Sequence, residues 1–393
     1  MNVTVDMAYK SLNKFHEELC GDKVEMLKTD DSYIMILADG MGSGVKANIL
    51  STLTSKILGT MFLNGATLDE CVETIVETLP ICQVRHVAYS TFSILQVFHN
   101  GEAYLVEFDN PSCIFLREGE IVPIPHNKRV IQNKTINEYR FTVKKNDTFI
   151  LMSDGMLHAG VGTVLNFGWD WKEIAAYTKR EAAVPMSAAR LANVVVKASD
   201  DLYDHRPGDD TTVACLRIID RKPVYLMSGP AKDKADDSKM MADFMNCEES
   251  VKRIVCGGTS SLIVAKYLDR PLDVSIDYLD PDIPPVAYIK GIDLVTEGVL
   301  TLSRTLSLMQ EFEDSENLST DFFAKIDNKD GGAMVAKMII EECTELHLFI
   351  GTAVNAAYQN PGLPVNLNIR SQLAQQLKET VEKMGKPVMI TYY

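Results

Sequence analysis

The chain has 393 residues, of which 46% are hydrophobic and 24% charged, and its formal net charge at pH 7 is −15. This length exceeds one ordinary hydrophobic core, so two domains are expected, and the composition is that of a globular protein rather than a disordered one. The acidic balance argues against a nucleic acid or an anionic membrane as the main partner, because both attract basic surfaces.

The cysteines and the N-terminal segment exclude further classes of protein. The eight cysteines are scattered, without a C-x-x-C pair or a cluster with histidine, so neither a zinc site nor a disulfide framework is indicated. The first ten residues lack the apolar core of a signal peptide, and no later window is apolar enough to span a bilayer. We therefore expect a cytoplasmic protein with no membrane partner.

The first half of the chain, up to about Asp220, combines short strands with long helices. Strands are predicted over 3–12 and 23–40, the latter a pair joined by a polar turn. Two helices follow, the second with Thr67 or Asp69 as its cap. A run of short strands between 90 and 154 is interpreted as one β-meander. Two more helices and a last strand complete this half.

The second half, beyond the charged stretch 220–223, alternates strands with helices. Such alternation is typical of an α/β domain built on a parallel sheet. We therefore place a domain boundary there, with a first domain over 1–220 and an α/β domain over 221–393. We expect the α/β domain to sense a ligand or to bind a partner.

The segment 32–47 holds the most informative motif. An apolar run ends abruptly at Asp39-Gly40, and alternate glycines then lead into a helical pattern, which predicts a buried strand, a tight loop and a helix. A carboxylate at the end of a buried strand is costly unless a cation meets it.

The same pattern recurs later in the first domain. Asp154 also follows an apolar run and precedes Gly-Met, and Asp209-Asp210 comes directly before a strand. If these strand ends converge, their like charges repel one another unless divalent cations neutralise them. Oxygen ligands without histidine or cysteine suit Mg²⁺ or Mn²⁺, and two such ions can activate a water molecule and hold a phosphoryl group.

Two other interpretations of these motifs stay open. Asp-Gly between apolar runs is a common hairpin turn signal, so each motif alone fits a plain turn. The glycines 40–44 could also form a nucleotide-binding loop, but Lys46 does not stand where a P-loop lysine would.

Taken in order, these motifs resemble the SpoIIE-type, sporulation-stage branch of the PPM metal-dependent serine/threonine protein phosphatases. The resemblance covers about the first 220 residues, and the ordered set is specific although each motif alone is weak. The matching segments contain Asp22, Asp39, Thr91, Asn110, Asp154 and Asp209.

The resemblance implies an α+β fold, a four-layer α-β-β-α sandwich with a pair of Mn²⁺ or Mg²⁺ ions between its sheets. It implies that Asp39 bridges both ions and that the carbonyl oxygen of Gly40 completes one coordination shell. Asp154 and Asp209 would hold the first ion, and Asp22 would serve the second, directly or through water. Asp39, Asp154 and Asp209 are thus the expected catalytic residues, and Asp210 is a weaker ligand candidate.

The sequence departs from the wider family in two respects. Met41 stands where many relatives carry a histidine thought to act as general acid, and no arginine before Asp22 matches the one that grips phosphate. Arg85, His86 and His158 are candidate helpers, although a lone histidine or arginine near a motif is more often structural.

The function implied is hydrolysis of phosphoserine or phosphothreonine in proteins by a water molecule that two metal ions activate, in bacterial signalling. The expected partner is a phosphorylated protein, with an anti-sigma-antagonist-like protein as one candidate, and a homodimer is one candidate assembly. The alternative is a catalytically weak or inactive phosphatase fold that acts as a regulatory module. The helix over 45–58 is a candidate moving part.

In the second domain the segment 251–268 stands out. A predicted strand ends in Cys256-Gly257-Gly258, and the hydroxyl residues 259–261 are interpreted as capping a helix. Such a turn either binds an anion with free amides or is an ordinary strand-to-helix connection. The loops over 294–300 and 355–364 are further candidates of unusual composition.

Overall fold

The computed structural model describes residues 3–78, 90–131, 134–162, 164–246, 250–274, 286–313, 318–353 and 369–393. The chain divides into two compact units, Met1–Asp220 and Arg221–Tyr393. Each unit has its own sheets and its own hydrophobic core. The candidate loop over 355–364 lies outside the described residues.

The first unit is built from two antiparallel sheets and their flanking helices. Its strands are β1 (Thr4–Leu12), β2 (Asp22–Lys28), β3 (Ser32–Gly40), β4 (Ser90–Phe98), β5 (Glu102–Phe108), β6 (Ile114–Arg117), β7 (Glu120–Ile121), β8 (Asn127–Ile131), β9 (Lys134–Thr142), β10 (Thr148–Met152) and β11 (Thr211–Ile219). Its helices are α1 (Gly44–Leu63), α2 (Leu68–Thr78), α3 (Gly155–His158), α4 (Trp171–Ala182) and α5 (Ala188–Leu202).

The two sheets stack into the middle layers of a sandwich. One has the strand order β2-β3-β4-β5-β9-β8, and the other has the order β1-β11-β10-β6-β7. Helices α1 and α2 share a core with the first sheet, and α5 packs on β1 and β11 of the second. The predicted α+β four-layer α-β-β-α sandwich is therefore confirmed.

Strand β3 shows why the layers form. Ile34, Ile36 and Ala38 belong to the core beneath α1, whereas Met35 and Leu37 belong to the core between the two sheets. Successive side chains of a strand point to opposite faces, so a strand buried on both faces reads as a continuous apolar run. This burial continues to Ala38, and Asp39 at the end of β3 is half-buried.

The interpretation of 90–154 as one β-meander is wrong. Strands β4, β5, β8 and β9 lie in one sheet, whereas β6, β7 and β10 lie in the other. The chain leaves the first sheet after β5 through Asp109, whose φ is 54°, and Pro111, which has no N–H to donate to a ladder. Helix α2 has Thr67 as its cap, which exchanges hydrogen bonds with Glu70.

The second unit has a single sheet covered by helices. Its strands are β12 (Pro223–Ser228), β13 (Lys252–Cys256), β14 (Asp273–Val274), β15 (Ala287–Tyr288), β16 (Leu294–Thr296), β17 (Glu345–Ile350) and β18 (Val388–Tyr392). Its helices are α6 (Asp237–Phe244), α7 (Gly258–Leu268), α8 (Val299–Glu313), α9 (Phe322–Ile326), α10 (Gly331–Glu342) and α11 (Ile369–Lys383).

The sheet of the second unit has the strand order β14-β15-β16-β13-β12-β17-β18, and its five strands from β16 to β18 run parallel. The predicted second α/β domain is thus confirmed. The prediction that 259–261 cap α7 is wrong, because Gly257 is the N-cap and no side chain accepts a bond there. The hydroxyl of Ser260 instead accepts a bond from the amide of Gly229 on the adjacent strand end.

Among the described residues, no helix is both long and apolar enough to cross a membrane.

Candidate metal centre

Two carboxylates of the site come from the hairpin of β2 and β3. Asp22 begins β2 and Asp39 stands near the end of β3, and the antiparallel register pairs these two residues directly. Asp22 is 3% exposed. Two like charges facing each other across a hairpin are unfavourable, so this pairing needs a compensating charge.

The opposite sheet supplies the other carboxylates. Asp154 follows β10, and Asp209 and Asp210 precede β11, its antiparallel neighbour. Asp154 lies close enough to Asp39 to raise the pKa of that carboxyl group, so the ends of the two sheets meet at this point. The structure therefore brings together Asp22, Asp39, Asp154, Asp209 and Asp210, which we call the carboxylate cluster.

Burial and mutual repulsion raise the pKa of carboxyl groups in this cluster. Burial raises the pKa of Asp39 far above its usual value, and the charges of Asp22, Asp154 and Asp209 raise it further. Burial also raises the pKa of Asp22, against the hydrogen bond from Ser153. The pKa of Asp209 and of Asp210 is likewise raised, mainly by burial. Without a cation, the cluster must therefore retain protons at neutral pH.

Unpaired oxygen atoms indicate what the cluster lacks. In the described part of the chain, Oδ1 of Asp22 and Oδ2 of Asp210 are buried without a hydrogen-bond partner. Native structures seldom leave such atoms unpaired unless an ion or water meets them. A set of carboxylate oxygens fits Mg²⁺ or Mn²⁺ well, so the residues present fit the expected ions.

His158 stands at the exposed side of the cluster. Ligand atoms of Asp154, His158 and Asp209 all lie within 4.8 Å of one another. Nδ1 of His158 is 3.9 Å from Oδ2 of Asp209, and the imidazole is 56% exposed. Its imidazole, beside two carboxylates at the end of α3, is placed to bind a metal ion or to transfer a proton. Of the other candidate helpers, Arg85 and His86 lie outside the described residues.

Close backbone approaches explain two glycines of the motifs. A Cβ atom on Gly40 would lie 2.0 Å from the carbonyl oxygen of Ala47, so only glycine lets α1 pack against the end of β3. A Cβ atom on Gly155 would lie 2.1 Å from the carbonyl oxygen of Asp210. The residue after Asp39 and the residue after Asp154 must therefore be glycine, since a side chain at either position would collide with the backbone of a neighbouring segment.

Neighbouring side chains hold the carboxylates in place. The hydroxyl of Ser153 donates to Oδ2 of Asp22 at 2.7 Å and accepts from the amide of Thr212 at 2.9 Å. Thr91, opposite Asp39 in the register, donates to Oδ1 of Asn110 at 2.5 Å. The motif residues Thr91 and Asn110 thus support the strand end that carries Asp39.

Lys14 and Ser153 contribute to the site although the sequence analysis gave neither a role. Lys14 follows β1, and its positive charge lowers the pKa of Asp209 and Asp210, while its amide donates to Oδ1 of Asp210 at 3.0 Å. Ser153 could have been noticed as the residue before Asp154. Lys14 stands in no recognisable motif, so only the fold reveals its position.

Comparisons with known proteins give a family match for most of the first unit. Residues 29–219 match the family model of Stage II sporulation protein E (SpoIIE). A search among curated proteins found no match.

Solved structures with similar folds share fewer than a fifth of their aligned residues with this chain. One contains the PP2C phosphatase domain and a regulatory fragment of SpoIIE from Bacillus subtilis, with 18% identity, 55% of this chain and 64% of that chain covered, and a TM-score of 0.47. Another is the SiaA PP2C domain of Pseudomonas aeruginosa, with 18% identity, coverages of 53% and 85%, and a TM-score of 0.43. RsbX in complex with magnesium matches with 19% identity, coverages of 55% and 98%, and a TM-score of 0.39.

The match to the family model covers β3 to β11 and therefore four of the five members of the carboxylate cluster, all except Asp22. The first unit of this chain thus contains a domain of the SpoIIE family.

Proposed function

We propose that the protein is a Mn²⁺- or Mg²⁺-dependent phosphoprotein phosphatase that hydrolyses phosphoserine and phosphothreonine. The observation that carries the proposal is the convergence of five aspartates from two sheets, two of which have a buried oxygen with no hydrogen-bond partner among the residues that the structure describes. Membership of the first unit in the SpoIIE family supports it.

The roles of the cluster follow from where its members stand. Asp39 adjoins both Asp22 and Asp154, so it is the residue suited to bridge two ions. Asp154 and Asp209, whose carboxylates lie close together, would hold one ion, with the carbonyl oxygen of Gly40, Asp22 and Asp210 as the further ligand candidates. Divalent cations, when bound, polarise phosphoryl oxygens and increase the acidity of water. Because burial raises the pKa of Asp39 and Asp22, binding of cations to these carboxylates would release protons.

Lys14 is suited to bind the phosphate group of the substrate. Its amide binds Asp210, and its positive charge is close enough to Asp209 and Asp210 to lower the pKa of both. An ammonium group there binds a phosphoryl oxygen and offsets the negative charge of the incoming substrate. This assigns to Lys14 the role for which the sequence showed no arginine.

A phosphorylated protein in the cytoplasm is the substrate that fits this proposal, with an anti-sigma-antagonist-like protein as one candidate. The α/β unit over 221–393 would then bind a ligand or a partner and regulate the reaction. A homodimer is compatible with this arrangement.

The test is phosphate release from phosphoserine and phosphothreonine peptides in the presence of Mn²⁺. We expect turnover by the wild type, inhibition by a chelator, and about a thousandfold lower rate for Asp39→Asn. Asp30→Asn is the matched control, because Asp30 is exposed in the β2–β3 turn and its substitution removes one carboxylate, as Asp39→Asn does. If the wild type releases no phosphate from any peptide or generic ester at any Mn²⁺ concentration, the enzyme proposal is wrong and the inactive regulatory module is favoured.

A further inference from the structure

The segment that follows α3 turns back on that helix beside the carboxylate cluster. It consists of residues 161–162 and 164–168, which we call the rim loop. The amide of Val161 donates to the carbonyl oxygen of His158 at 3.1 Å, and the amide of Trp169 donates to a carbonyl oxygen of α3 at 3.0 Å. The imidazole of His158 lies next to two carboxylates of the cluster. The rim loop therefore begins and ends at the exposed side of the candidate metal centre.

Backbone hydrogen bonds and two side chains explain the shape of the rim loop. The amide of Leu165 donates to the carbonyl oxygen of Gly160 at 2.9 Å, and its carbonyl oxygen accepts from the amide of Gly162 at 3.2 Å. The side chain of Leu165 packs on Gly160, where a Cβ atom would lie 3.1 Å from Cδ1. Trp169 is buried, and its ring meets that of Tyr177 edge-on with the centroids 5.5 Å apart. The other apolar side chains of the loop are not needed to hold this conformation.

Those other apolar side chains are exposed to solvent. The exposed fraction is 51% for Val161, 64% for Val164 and 98% for Phe167. Cγ2 of Val161 lies 3.0 Å from where a Cβ atom of Gly168 would be, so Val161 adjoins the backbone next to Phe167. The other exposed phenylalanine of the described chain, Phe15, is 46% exposed and lies under a guanidinium group. Isolated exposed apolar residues are common, but three within seven residues, without a role in the packing of their own loop, indicate a contact surface.

The position of the rim loop indicates what would contact it. Val161 is three residues from His158, and three residues of chain span at most about 11 Å. A phosphorylated side chain that enters the carboxylate cluster must leave the flanking part of its own peptide at the exposed side of the cluster. An extended peptide advances about 3.3 Å per residue, so side chains two to four residues from the phosphorylated one reach the rim loop. The loop is thus continuous with the surface on which a phosphoprotein substrate would lie.

We propose that the rim loop binds an apolar side chain of the phosphoprotein substrate, two to four residues from its phosphoserine or phosphothreonine, with Phe167 as the main contact. The inference rests on the proposed phosphatase function and narrows its class of substrate. A chain with a net charge of −15 does not attract an anionic phosphoprotein by its overall charge. Burial of Phe167 against an apolar side chain of the substrate supplies affinity that does not depend on charge.

Binding of labelled peptides to the full chain in the presence of Mn²⁺ tests this proposal. Each peptide carries a phosphonate analogue of phosphoserine, which cannot be hydrolysed, in a Gly-Ser background, with one leucine placed in turn from four residues before the analogue to four after it. Fluorescence polarisation should show that leucine two to four residues away tightens binding about fivefold or more over the peptide without leucine. Equal binding of all peptides overturns the proposal.

A small phosphate ester separates this inference from the proposed function. Hydrolysis of p-nitrophenyl phosphate by the wild type needs the metal centre but offers no peptide to the rim loop. Turnover of the ester together with equal binding of all peptides contradicts the inference and leaves the phosphatase proposal intact. A leucine preference in binding without turnover of any ester or peptide supports the contact surface and contradicts the phosphatase proposal.

Variants locate the contact. Phe167→Ser should reduce the leucine preference to less than about twofold, and folding is not at risk because the ring is 98% exposed. Val130→Ser is the matched control, since Val130 is 71% exposed on β8, four strands from β3 in the same sheet and hence about 19 Å away. It should keep the preference of the wild type. An unchanged preference in Phe167→Ser overturns the assignment, as does a dimer of the wild type that Phe167→Ser dissociates, because the surface would then bind a second copy of the chain.

Discussion

At the scale of single residues, the carboxylate cluster is a local conflict that the fold maintains. Asp22 and Asp39 face each other, and Asp154 contacts Asp39 from the other sheet, although burial makes each charge costly. Proteins retain such repulsive groups where function needs them, at some loss of stability. Neutralising one carboxylate of the cluster should therefore increase the stability of the metal-free protein and decrease its activity.

Asp39→Asn should stabilise the metal-free protein while it abolishes turnover. Asparagine has nearly the same shape and, unlike Asp39, does not have to take up a proton or bury a charge when the metal-free protein folds, so we expect a gain of about 1–2 kcal/mol at pH 8. Urea denaturation with a chelator measures it, and Asp30→Asn should change stability by less than about 0.5 kcal/mol. A loss of stability in Asp39→Asn would show that the cluster is not under repulsion.

The metal-free protein should also lose stability as pH rises. The folded-state pKa of Asp22 and of Asp39 is raised above the unfolded value of 3.8, so the folded protein binds more protons than the unfolded chain above that value. Their favourable contribution is complete below about pH 4 and is lost as pH rises through the raised values. We expect the free energy of unfolding to fall by about 1–3 kcal/mol between pH 5 and pH 8.

Denaturation curves at a series of pH values, with a chelator and with Mn²⁺, measure how the free energy of unfolding changes with pH. Mn²⁺ should remove most of this change, because bound cations favour the ionised carboxylates. A stability that stays level or rises over this range in the metal-free protein would be inconsistent with the raised pKa values.

Lys14→Ala should weaken substrate use without removing the cations. Loss of an ammonium group that binds phosphate is expected to raise KM and lower kcat/KM about tenfold to a hundredfold, while Mn²⁺ affinity is retained or increased. Lys46→Ala is the control, since Lys46 is exposed at the start of α1. Equal kinetics of Lys14→Ala and wild type would remove Lys14 from the site.

At the scale of elements, the contact between β3 and α1 fixes the geometry of Asp39. Gly40 ends the strand, and the carbonyl oxygen of Ala47 lies where its Cβ would be. The amide of Gly40 also donates to the carbonyl oxygen of Gly21 at 3.1 Å, which ties the ends of β2 and β3 together. A shift of α1 would therefore move the strand end that carries Asp39.

Gly40→Ala should destabilise the protein by about 2–4 kcal/mol, because a 2.0 Å approach to backbone cannot be relieved by a rotamer change. Thermal unfolding measures the effect. Gly208→Ala is the matched control, since the nearest atom to its Cβ, on Tyr203, is at an ordinary 3.4 Å. If both variants unfold at the same temperature, the packing of α1 on Gly40 is looser than the structure indicates.

Elements that the sequence did not reveal have a physical explanation. Helix α10 begins with Gly331 and Gly332, which disfavour a helix, so its pattern was not recognised. A Cβ on Gly332 would lie 2.5 Å from the side chain of Arg304, which shows that packing against α8 requires the glycine. By contrast α1 and α5 have long apolar patterns and were predicted. Tertiary contacts, which a local pattern cannot contain, account for the difference.

At the scale of the whole molecule, the sequence identified the carboxylates of the site but not the residues that hold them in place. The ordered Asp-Gly motifs predicted which carboxylates to examine, and the fold brings all of them together. The sequence did not reveal that Lys14 adjoins them or that Ser153 holds Asp22, because those contacts join residues that are 196 and 131 positions apart in the chain.

The central claim is that the carboxylate cluster binds divalent cations for hydrolysis, and Mn²⁺ titration of the metal-free chain at neutral pH tests it most directly. The account predicts two tightly bound ions per chain, release of protons on binding, and phosphate release that rises with occupancy. Asp39→Asn should lose at least one ion and the turnover with it. Binding of Mn²⁺ that is absent, or equal in wild type and Asp39→Asn, would contradict the account.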